Sequence, residues 1–430
     1  MYSAKSAATS DWDRLIRHLL SVPAVALLLL FLASSGWAGW VRQTSGSTLI
    51  FTSVQFPVDA QTGYITGASY SGSGGEIWKT TNSGTNWVRI YTHPTASYMG
   101  VDFPLDAVTG YVVGGHLLKT TDGGATWVNQ GSPSFFMDVC FPQNTQTGYV
   151  VGMLGFILKT TNGGANWVTQ ASGTTKFLSG VDFPVDAQTG YVVGGDTLPG
   201  NTSIVLKTTN GGSNWVIQSE NTNEFLAAVD FPLDAMTGYA AIGRGGSVGG
   251  IMKTTNGGAN WFRTPDSLDL SALCFPVDAN TGYAVGGYGP SSARVHIIKS
   301  TDGGASWPRQ PPGTSVYLAG VNFPLDARTG WVVGDSGTIL KTTDGGVWVE
   351  ETPRNGPSFN AQGLKATPNP FTSFATLPGH ETERFALFDV SGRQVGAYRG
   401  DRIGWDLTPG VYFLKGFKGE SAPVRIVKLR

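Results

Sequence analysis

Apolar residues in this chain occur in short runs, separated by glycine, asparagine, aspartate, serine and threonine. Between residues 177 and 218, four runs rich in β-branched and aromatic residues are visible, at 181–183, 191–193, 204–208 and 215–218. Runs of this composition between turn residues are typical of β-strands. The pattern therefore predicts four antiparallel strands joined by tight turns.

The four-strand pattern repeats along the chain, and its third and fourth runs carry the phrase KTTNGGANW or a close variant. Copies are spaced 40 to 48 residues apart, and the last, KTTDGGVWVE, is shortened. A period of this length with four strands per copy is typical of β-propeller blades. Seven copies predict an all-β fold with a seven-bladed β-propeller over residues 39–352. The phrase begins at Lys79, Lys119, Lys159, Lys207, Lys253, Lys299 and Lys341.

The segment GWVRQTSG, from Gly39 to Gly46, resembles a fourth strand but has no first three strands before it. The last copy is one residue short in its own fourth strand. We therefore expect residues 40–43 to pair into blade 7 and close the ring, which removes free sheet edges.

The repeated phrase contains a turn whose polar and glycine residues have a structural explanation. Asn or Asp side chains bond nearby backbone amides, and the glycines permit positive φ. The following Trp is expected to pack between blades. These residues are interpreted as scaffold: Asn82, Asp122, Asn162, Asn210, Asn256, Asp302 and Asp344, with Trp87, Trp127, Trp167, Trp215, Trp261, Trp307 and Trp348.

A second repeated turn, DAxTG, joins the first two strands of a copy. Copy three is expected to depart from it, with Gln143 at the Asp position. Successive turns of a meander alternate between its two ends, so both repeated turns are predicted to share one face of the ring. The seven phrase lysines are expected to pair with the DAxTG aspartates on that face.

Composition narrows the class of protein. Charged residues make up 14% of 430 and the net charge is −1, which gives no electrostatic case for nucleic acid. Residues 1–38 contain Arg14 and Arg17, then an apolar stretch and small residues, which predicts a cleaved signal peptide and no membrane span afterwards. An uncleaved anchor is the alternative. Cys140 and Cys274 are interpreted as small buried side chains without a disulfide.

The S/T-x-D/N-x-G-x-x-W pattern resembles the Asp-box, or bacterial neuraminidase, repeat. The unit FPxDAxTGYVVG…ILKTTNGGANW is similar to the photosystem II assembly and stability factor family of seven-bladed propellers and its non-photosynthetic bacterial relatives. The resemblance covers about residues 40–352. It implies the fold, and it leaves function open because Asp-boxes also occur in sialidases, sortilin-type receptors and xyloglucanases.

The period stops after Trp348. Residues 353–364 are interpreted as a linker, and residues 365–430 as a small β-sandwich. PNPF at Pro368, DVSGRQV at Asp389 and LTPGVYF at Leu407 resemble the type A sorting domain of type IX secretion. The resemblance implies the secretion machinery as a partner, and a secreted or outer-surface location on a Gram-negative bacterium. A β-sandwich without a sorting role is the alternative.

The segments that differ between copies lie opposite the repeated turns, in the loops between strands two and three and between blades. Function tends to reside in loops on a rigid scaffold, so this variable face is the predicted binding site for a protein or glycan. The alternative for the aromatic column there is a cap on the core. The candidate binding residues are Phe135, Phe177, Phe225, Tyr317, Asp196, Arg244 and Arg294.

A catalytic role is not favoured, and no catalytic residue, metal or cofactor is predicted. Sialidases need converging arginines, whereas Arg89, Arg263 and Arg309 fall at strand-four positions. The sequence favours a secreted or surface β-propeller that acts as a binding or assembly scaffold. The alternative is a carbohydrate-binding or glycoside-hydrolase-like propeller that acts on extracellular glycans.

Overall fold

The structure is a computed structural model, which falls into two compact units, Met1–Glu350 and Glu351–Arg430. It describes residues 39–69, 74–131, 135–142, 144–196, 202–222, 224–243, 249–264, 268–287, 295–346, 373–377, 384–389, 394–399, 402–403, 407–408, 410–416 and 424–428. The predicted signal peptide, the predicted linker, Trp348, Arg244 and Arg294 lie outside these residues.

The first unit consists of seven four-stranded antiparallel sheets, so the predicted seven-bladed β-propeller is confirmed. Blade 7 combines β1 (Val41–Gln43) with β26 (Leu318–Asn322), β27 (Gly330–Gly334) and β28 (Thr338–Thr342). Blades 1 and 2 contain β2 (Ile50–Gln55), β3 (Gly63–Ala68), β4 (Gly75–Thr80), β5 (Val88–His93), β6 (Tyr98–Asp102), β7 (Gly110–Gly114), β8 (Leu117–Thr120) and β9 (Val128–Asn129). Blades 3 and 4 contain β10 (Phe136–Cys140), β11 (Gly148–Gly152), β12 (Ile157–Thr160), β13 (Val168–Gln170), β14 (Phe177–Asp182), β15 (Gly190–Asp196), β16 (Thr202–Thr208) and β17 (Val216–Thr222). Blades 5 and 6 contain β18 (Leu226–Asp230), β19 (Gly238–Ile242), β20 (Gly250–Thr254), β21 (Phe262–Arg263), β22 (Leu270–Cys274), β23 (Gly282–Gly287), β24 (Val295–Ser300) and β25 (Arg309–Gln310).

The ring closes through its N-terminal strand, as predicted. β1 pairs antiparallel with β28, and Val41 lies opposite Lys341. Trp40, just before β1, packs edge-on against Phe323 with ring centroids 6.0 Å apart. In six blades the same edge-on contact joins the Asp-box Trp to the Phe that follows the first strand of the same blade, as between Trp215 and Phe183 in blade 4. Trp40 therefore makes in blade 7 the edge-on contact that the Asp-box Trp makes in the other six blades.

Adjacent blades are held together by stacked aromatic rings. In blade 3 the Tyr149 ring lies 3.9 Å from the Phe183 ring of blade 4, at an interplanar angle of 15°. The same stack recurs at every seam, and at the seam between blades 7 and 1 Trp331 replaces the tyrosine against Phe56. The column at the start of the first strands, expected to be core, is fully buried: Phe51, Tyr98, Phe136, Leu178, Leu226, Leu270 and Leu318.

The second unit has a four-stranded sheet and a two-stranded ladder. The sheet has the order β31-β30-β33-β34, and β29 pairs with β32. Side chains from both sheets form one buried cluster that includes Leu377, Phe385, Ile403 and Leu414. The strands are β29 (Ala375–Thr376), β30 (Arg384–Asp389), β31 (Gln394–Arg399), β32 (Arg402–Ile403), β33 (Gly410–Gly416) and β34 (Val424–Lys428).

Candidate binding site

The Asp-box turns use their polar groups internally. In blade 3 the Gly164 N–H donates to Thr160 Oγ1, that hydroxyl donates to Asn162 Oδ1, and Asn162 Oδ1 also accepts from the Asn166 N–H. The two glycines have φ values of 66° and 82°, which non-glycine residues rarely adopt. A turn whose donors and acceptors are already bonded to one another has little left with which to recognise a ligand.

Tyrosine and lysine side chains link each blade to the box of the next. Tyr149 Oη lies 2.9 Å from the carbonyl of Ala187 and 3.1 Å from that of Gly211, in the DAxTG turn and the Asp-box of blade 4. Lys159 Nζ donates to the same Gly211 carbonyl at 2.7 Å. One hydroxyl touches both turns, so the prediction that the two repeated turns share one face is confirmed.

The expected lysine–aspartate pairing is wrong. Each phrase lysine donates to a backbone carbonyl of the next blade's Asp-box, and its ammonium lies over the aromatic ring of its own blade, between 5.1 and 5.7 Å from the centroid. The DAxTG aspartates bond backbone amides two and three residues ahead instead, as Asp186 does with Gln188 and Thr189. A side chain already held by two local amides does not need an ammonium partner.

The expected departure at Gln143 is also wrong. Asn144 occupies the Asp position of blade 3, and its Oδ1 accepts from the Gln146 and Thr147 amides as the aspartates do. The asparagine oxygen replaces the carboxylate, so the turn keeps its geometry without the charge.

The last residue of the first strand in each blade faces the next blade. These residues form a ring of interblade hydrogen bonds that the sequence reasoning missed. Asp182 Oδ2 accepts from the Phe231 N–H of blade 5, and Asp230 Oδ2 accepts from the Phe275 N–H of blade 6, each at 2.7 Å. Asn322 and Gln55 make the same bond with neutral oxygens. The position before each FP pair carries Gln55, Asp102, Cys140, Asp182, Asp230, Cys274 and Asn322, which was the visible signal.

Burial raises the pKa of the carboxyl groups in this ring. Desolvation raises the pKa of Asp230 to about 7, although the Phe275 amide opposes it. Desolvation likewise raises the pKa of Asp102 to about 7, with the Asp138 charge adding to it. Cys140 and Cys274 are free thiols, half-buried rather than fully buried, and desolvation raises the pKa of both.

On the variable face, the structure brings only some of the candidate residues together. Phe177 and Phe225 lie on adjacent blades with ring centroids 5.9 Å apart. Phe225 is 4% exposed, which fits a cap on the core, whereas Phe135 and Phe177 are half-buried. Tyr317 lies in blade 7, and its hydroxyl is 2.7 Å from Ser271 Oγ.

A groove runs along the seam between blades 3 and 4 on this face, with a volume of about 640 Å³. One wall is the turn between β11 and β12, which includes Leu154 and Phe156; the other is the connection from β13 to β14, which ends at Lys176. Asp196, at the end of β15, also lines the groove. Of the candidate residues, Asp196 lines the groove directly, and Phe177 is next to Lys176 in the chain.

The charges beside Asp196 form a cluster of three side chains. Lys176 Nζ lies 3.4 Å from Asp196 Oδ2 and 3.2 Å from Glu220 Oε1, and it donates to Thr202 Oγ1 at 2.5 Å. Lys176 is 16% exposed, whereas the two carboxylates are 47% and 50% exposed. The lysine is therefore enclosed while both carboxylates face solvent, and the cluster has a net charge of −1.

Other carboxylates outside the repeat pattern also have partners. Glu224 pairs with Arg263 at 3.3 Å, and Asp138 accepts the Val139 and Val181 amides. Arg89, Arg263 and Arg309 lie on β5, β21 and β25, so the expectation that these arginines fall at strand-four positions is confirmed. Strand four is at the edge of each blade sheet, so these arginines do not converge on one carboxylate-binding site.

Within the described residues, no three His, Cys, Asp or Glu side chains form a group that could hold a metal ion. In the same part of the chain, no helix has the length and apolarity required to cross a bilayer.

Comparison with known proteins agrees with this geometry. The family model of the photosynthesis system II assembly factor YCF48 matches residues 128–264, which run from β9 to the end of β21. The propeller is similar to the YCF48 assembly factors. No curated protein sequence matched the chain.

Solved structures extend the likeness to the whole ring. YCF48 from Cyanidioschyzon merolae is 20% identical with a TM-score of 0.55, and the match covers 71% of this chain and 99% of that one. A structure titled YCF48 bound to D1 peptide is 17% identical with a TM-score of 0.53, covering 72% and 98%. The GH74 xyloglucanase from Xanthomonas campestris is 13% identical with a TM-score of 0.53, covering 71% and 53%. At these identities the likeness establishes a shared fold.

Proposed function

We propose that this chain is a secreted or cell-surface β-propeller that binds a protein partner through its variable face and serves as a binding or assembly scaffold. The groove between blades 3 and 4 carries the proposal, because apolar and charged side chains are exposed there outside the repeated bonding pattern. One similar propeller is a YCF48 bound to a D1 peptide, which supports a protein ligand.

The binding test uses the full chain and the cells that make it. In-cell cross-linking, purification and reconstitution with the purified partner should give a complex that variable-face substitutions weaken. Leu105→Asp is the matched control, since Leu105 is 54% exposed and immediately precedes the DAxTG turn on the other face. A partner lost with Leu105→Asp but kept by variable-face variants would contradict the proposed face.

Export is proposed from the two chain ends. Removal of residues 365–430 should leave the propeller in the periplasm if this region is a type IX sorting domain, whereas the full chain should appear at the surface or in the medium. Cell fractionation with protease accessibility measures this. An unchanged distribution after truncation would leave the binding proposal standing and remove the sorting role.

A glycan ligand is the second candidate, favoured by the half-buried Phe177 ring on the variable face and by the propeller fold shared with a xyloglucanase. Aromatic rings stack on sugar faces as they do on other apolar ligands. Binding or hydrolysis of xyloglucan oligosaccharides, lost in Phe177→Ala, would support this function over the first.

A further inference from the structure

Blades 3 and 7 have the same kind of turn between their second and third strands. Leu154 and Gly155 have φ values of 59° and 71°, and Ser336 and Gly337 have values of 55° and 64°. In blade 3 the Met153 N–H donates to the Phe135 carbonyl. In blade 7 the Asp335 N–H donates to the Tyr317 carbonyl. The two backbones are thus equivalent, and only their side chains differ.

The side chains differ in polarity. Blade 7 has Asp335 and Ser336 at the tip, as expected for an exposed turn, whereas blade 3 has Met153 and Leu154. Met153 is 43% exposed and Leu154 is 68% exposed. A left-handed conformation is uncommon and costly for a residue such as Leu. Because blade 7 builds the turn with polar residues, the fold does not require an apolar tip in blade 3.

Blade 4, which contributes Asp196 to the groove, has unusually long strands. β15, β16 and β17 of blade 4 have seven residues each, whereas β11, β12 and β13 of blade 3 have five, four and three. The extra length of blade 4 places Asp196 at the end of β15 and Glu220 on β17. The groove is therefore lined by Leu154 of the apolar tip on blade 3, with Met153 next to it in the chain, and by Asp196 on blade 4, with Glu220 beside it through the shared Lys176.

We propose that this groove binds an extended segment of a partner protein that has one large apolar side chain and, further along, a lysine or arginine. The apolar side chain packs on Met153 and Leu154, and the cation pairs with Asp196 and Glu220. Charge complementarity selects this occupant, because Lys176 neutralises only one of the two carboxylates. The proposal rests on the proposed function and names the chemistry of its partner.

The experiment selects from an arrayed library of eight-residue peptides on the purified full chain and measures the selected peptides by fluorescence anisotropy. We expect enrichment of peptides with one aliphatic or aromatic residue and one basic residue. The dissociation constant should rise at least tenfold when Met153→Asp and Leu154→Ser are combined, which copies the tip of blade 7 and so keeps the turn. Asp196→Asn with Glu220→Gln should weaken binding and reduce its salt dependence.

Leu105→Ser is the control and should leave peptide binding unchanged. The groove proposal would be overturned if acidic peptides were enriched, if the Met153→Asp/Leu154→Ser double variant bound peptide with unchanged affinity, or if no peptide were selected. The proposed function is tested separately. A reconstituted partner that binds the Met153→Asp/Leu154→Ser double variant normally, but loses binding in other variable-face variants, overturns only the groove proposal. A partner insensitive to every variable-face substitution overturns the proposed function as well.

Discussion

At the scale of single residues, this propeller depends on side chains that bond to the backbone of a neighbouring blade. Tyr149, Lys159 and Asp182 each reach from one blade to a main-chain group of the next. These side chains recur in most copies, and their partners are fixed by the fold. Their contribution to stability can be measured one bond at a time.

Removal of one tyrosine hydroxyl should weaken one seam. Tyr149→Phe deletes the donor to the Ala187 and Gly211 carbonyls but keeps the ring stacked on Phe183. We expect a loss of about 0.5–1.5 kcal/mol in unfolding free energy, the usual net contribution of a hydrogen bond. Urea denaturation measures it. Val168→Ala, at a position 61% exposed, is the control and should change stability by less than about 0.5 kcal/mol.

The buried carboxyl groups at the ends of the first strands should make the protein less stable as pH rises. The pKa of Asp230 is about 7 in the folded state, above the unfolded value of about 3.9. The folded state therefore binds more protons between these values, so this contribution is complete below about pH 4 and is lost as pH rises towards 7. Asp230→Asn should reduce the fall in stability between pH 5 and pH 8.

The control for that titration is Asp122→Asn. Hydrogen bonds from Thr126 and Thr120 lower the pKa of Asp122 to about 2, so it is ionised in both states above pH 5. Its replacement should leave the slope between pH 5 and pH 8 unchanged. A slope that stays the same in Asp230→Asn would show that this group does not hold its proton in the folded state.

At the scale of strands and turns, the repeat phrase was enough to predict the blade, the closing strand and the shared face of both repeated turns. It failed where partners depend on three-dimensional proximity. The lysines bond carbonyls of the next blade rather than nearby aspartates, and no spacing within one copy shows which blade's turn is closer. The groove was only partly foreseen: Asp196 was a candidate, but Leu154 lies in a turn that looked ordinary without its blade 7 counterpart.

The stability of the closed ring should depend on Trp40, just before β1. Trp40 contacts Phe323 edge-on and donates from Nε1 to Gln310 Oε1 at 2.9 Å. Trp40→Ala should cost about 2–4 kcal/mol, below the range for fully buried tryptophans because Trp40 is half-buried. Thermal denaturation of the variant measures it. Val41→Ala, at the next position in the chain and 56% exposed, should be nearly neutral. Equal effects of the two substitutions would mean that the Trp40 side chain does not stabilise ring closure.

At the scale of the whole ring, the seams are alike except where blade 7 meets blade 1. There Trp331 replaces the tyrosine and supplies no hydroxyl, while Lys341 donates to both the carbonyl and the hydroxyl of Ser83. Lys341 therefore supplies at this seam the short bonds that a lysine and a tyrosine share elsewhere, and Gln43 Nε2 adds a longer one of 3.4 Å to the Ser83 carbonyl. The closing seam should depend more on its lysine than any other seam does.

A pair of matched substitutions tests this dependence. Lys159→Met should cost about 1 kcal/mol, because Tyr149 still bonds the Gly211 carbonyl, whereas Lys341→Met should cost about 2 kcal/mol. Both variants keep an apolar side chain of similar length over the aromatic ring. Equal unfolding free energies in urea would contradict a special role for Lys341.

The direction of the interblade bonds also bears on how such a molecule grows. Each of the first six copies of the repeat brings a tyrosine and a lysine that bond forward, together with a turn that accepts bonds from the copy behind it. A duplicated segment of gene would therefore arrive with both halves of its joints already matched. Bonding chemistry then sets no limit on the number of copies, and in this chain the ring is closed at seven by the pairing of β1 with β28.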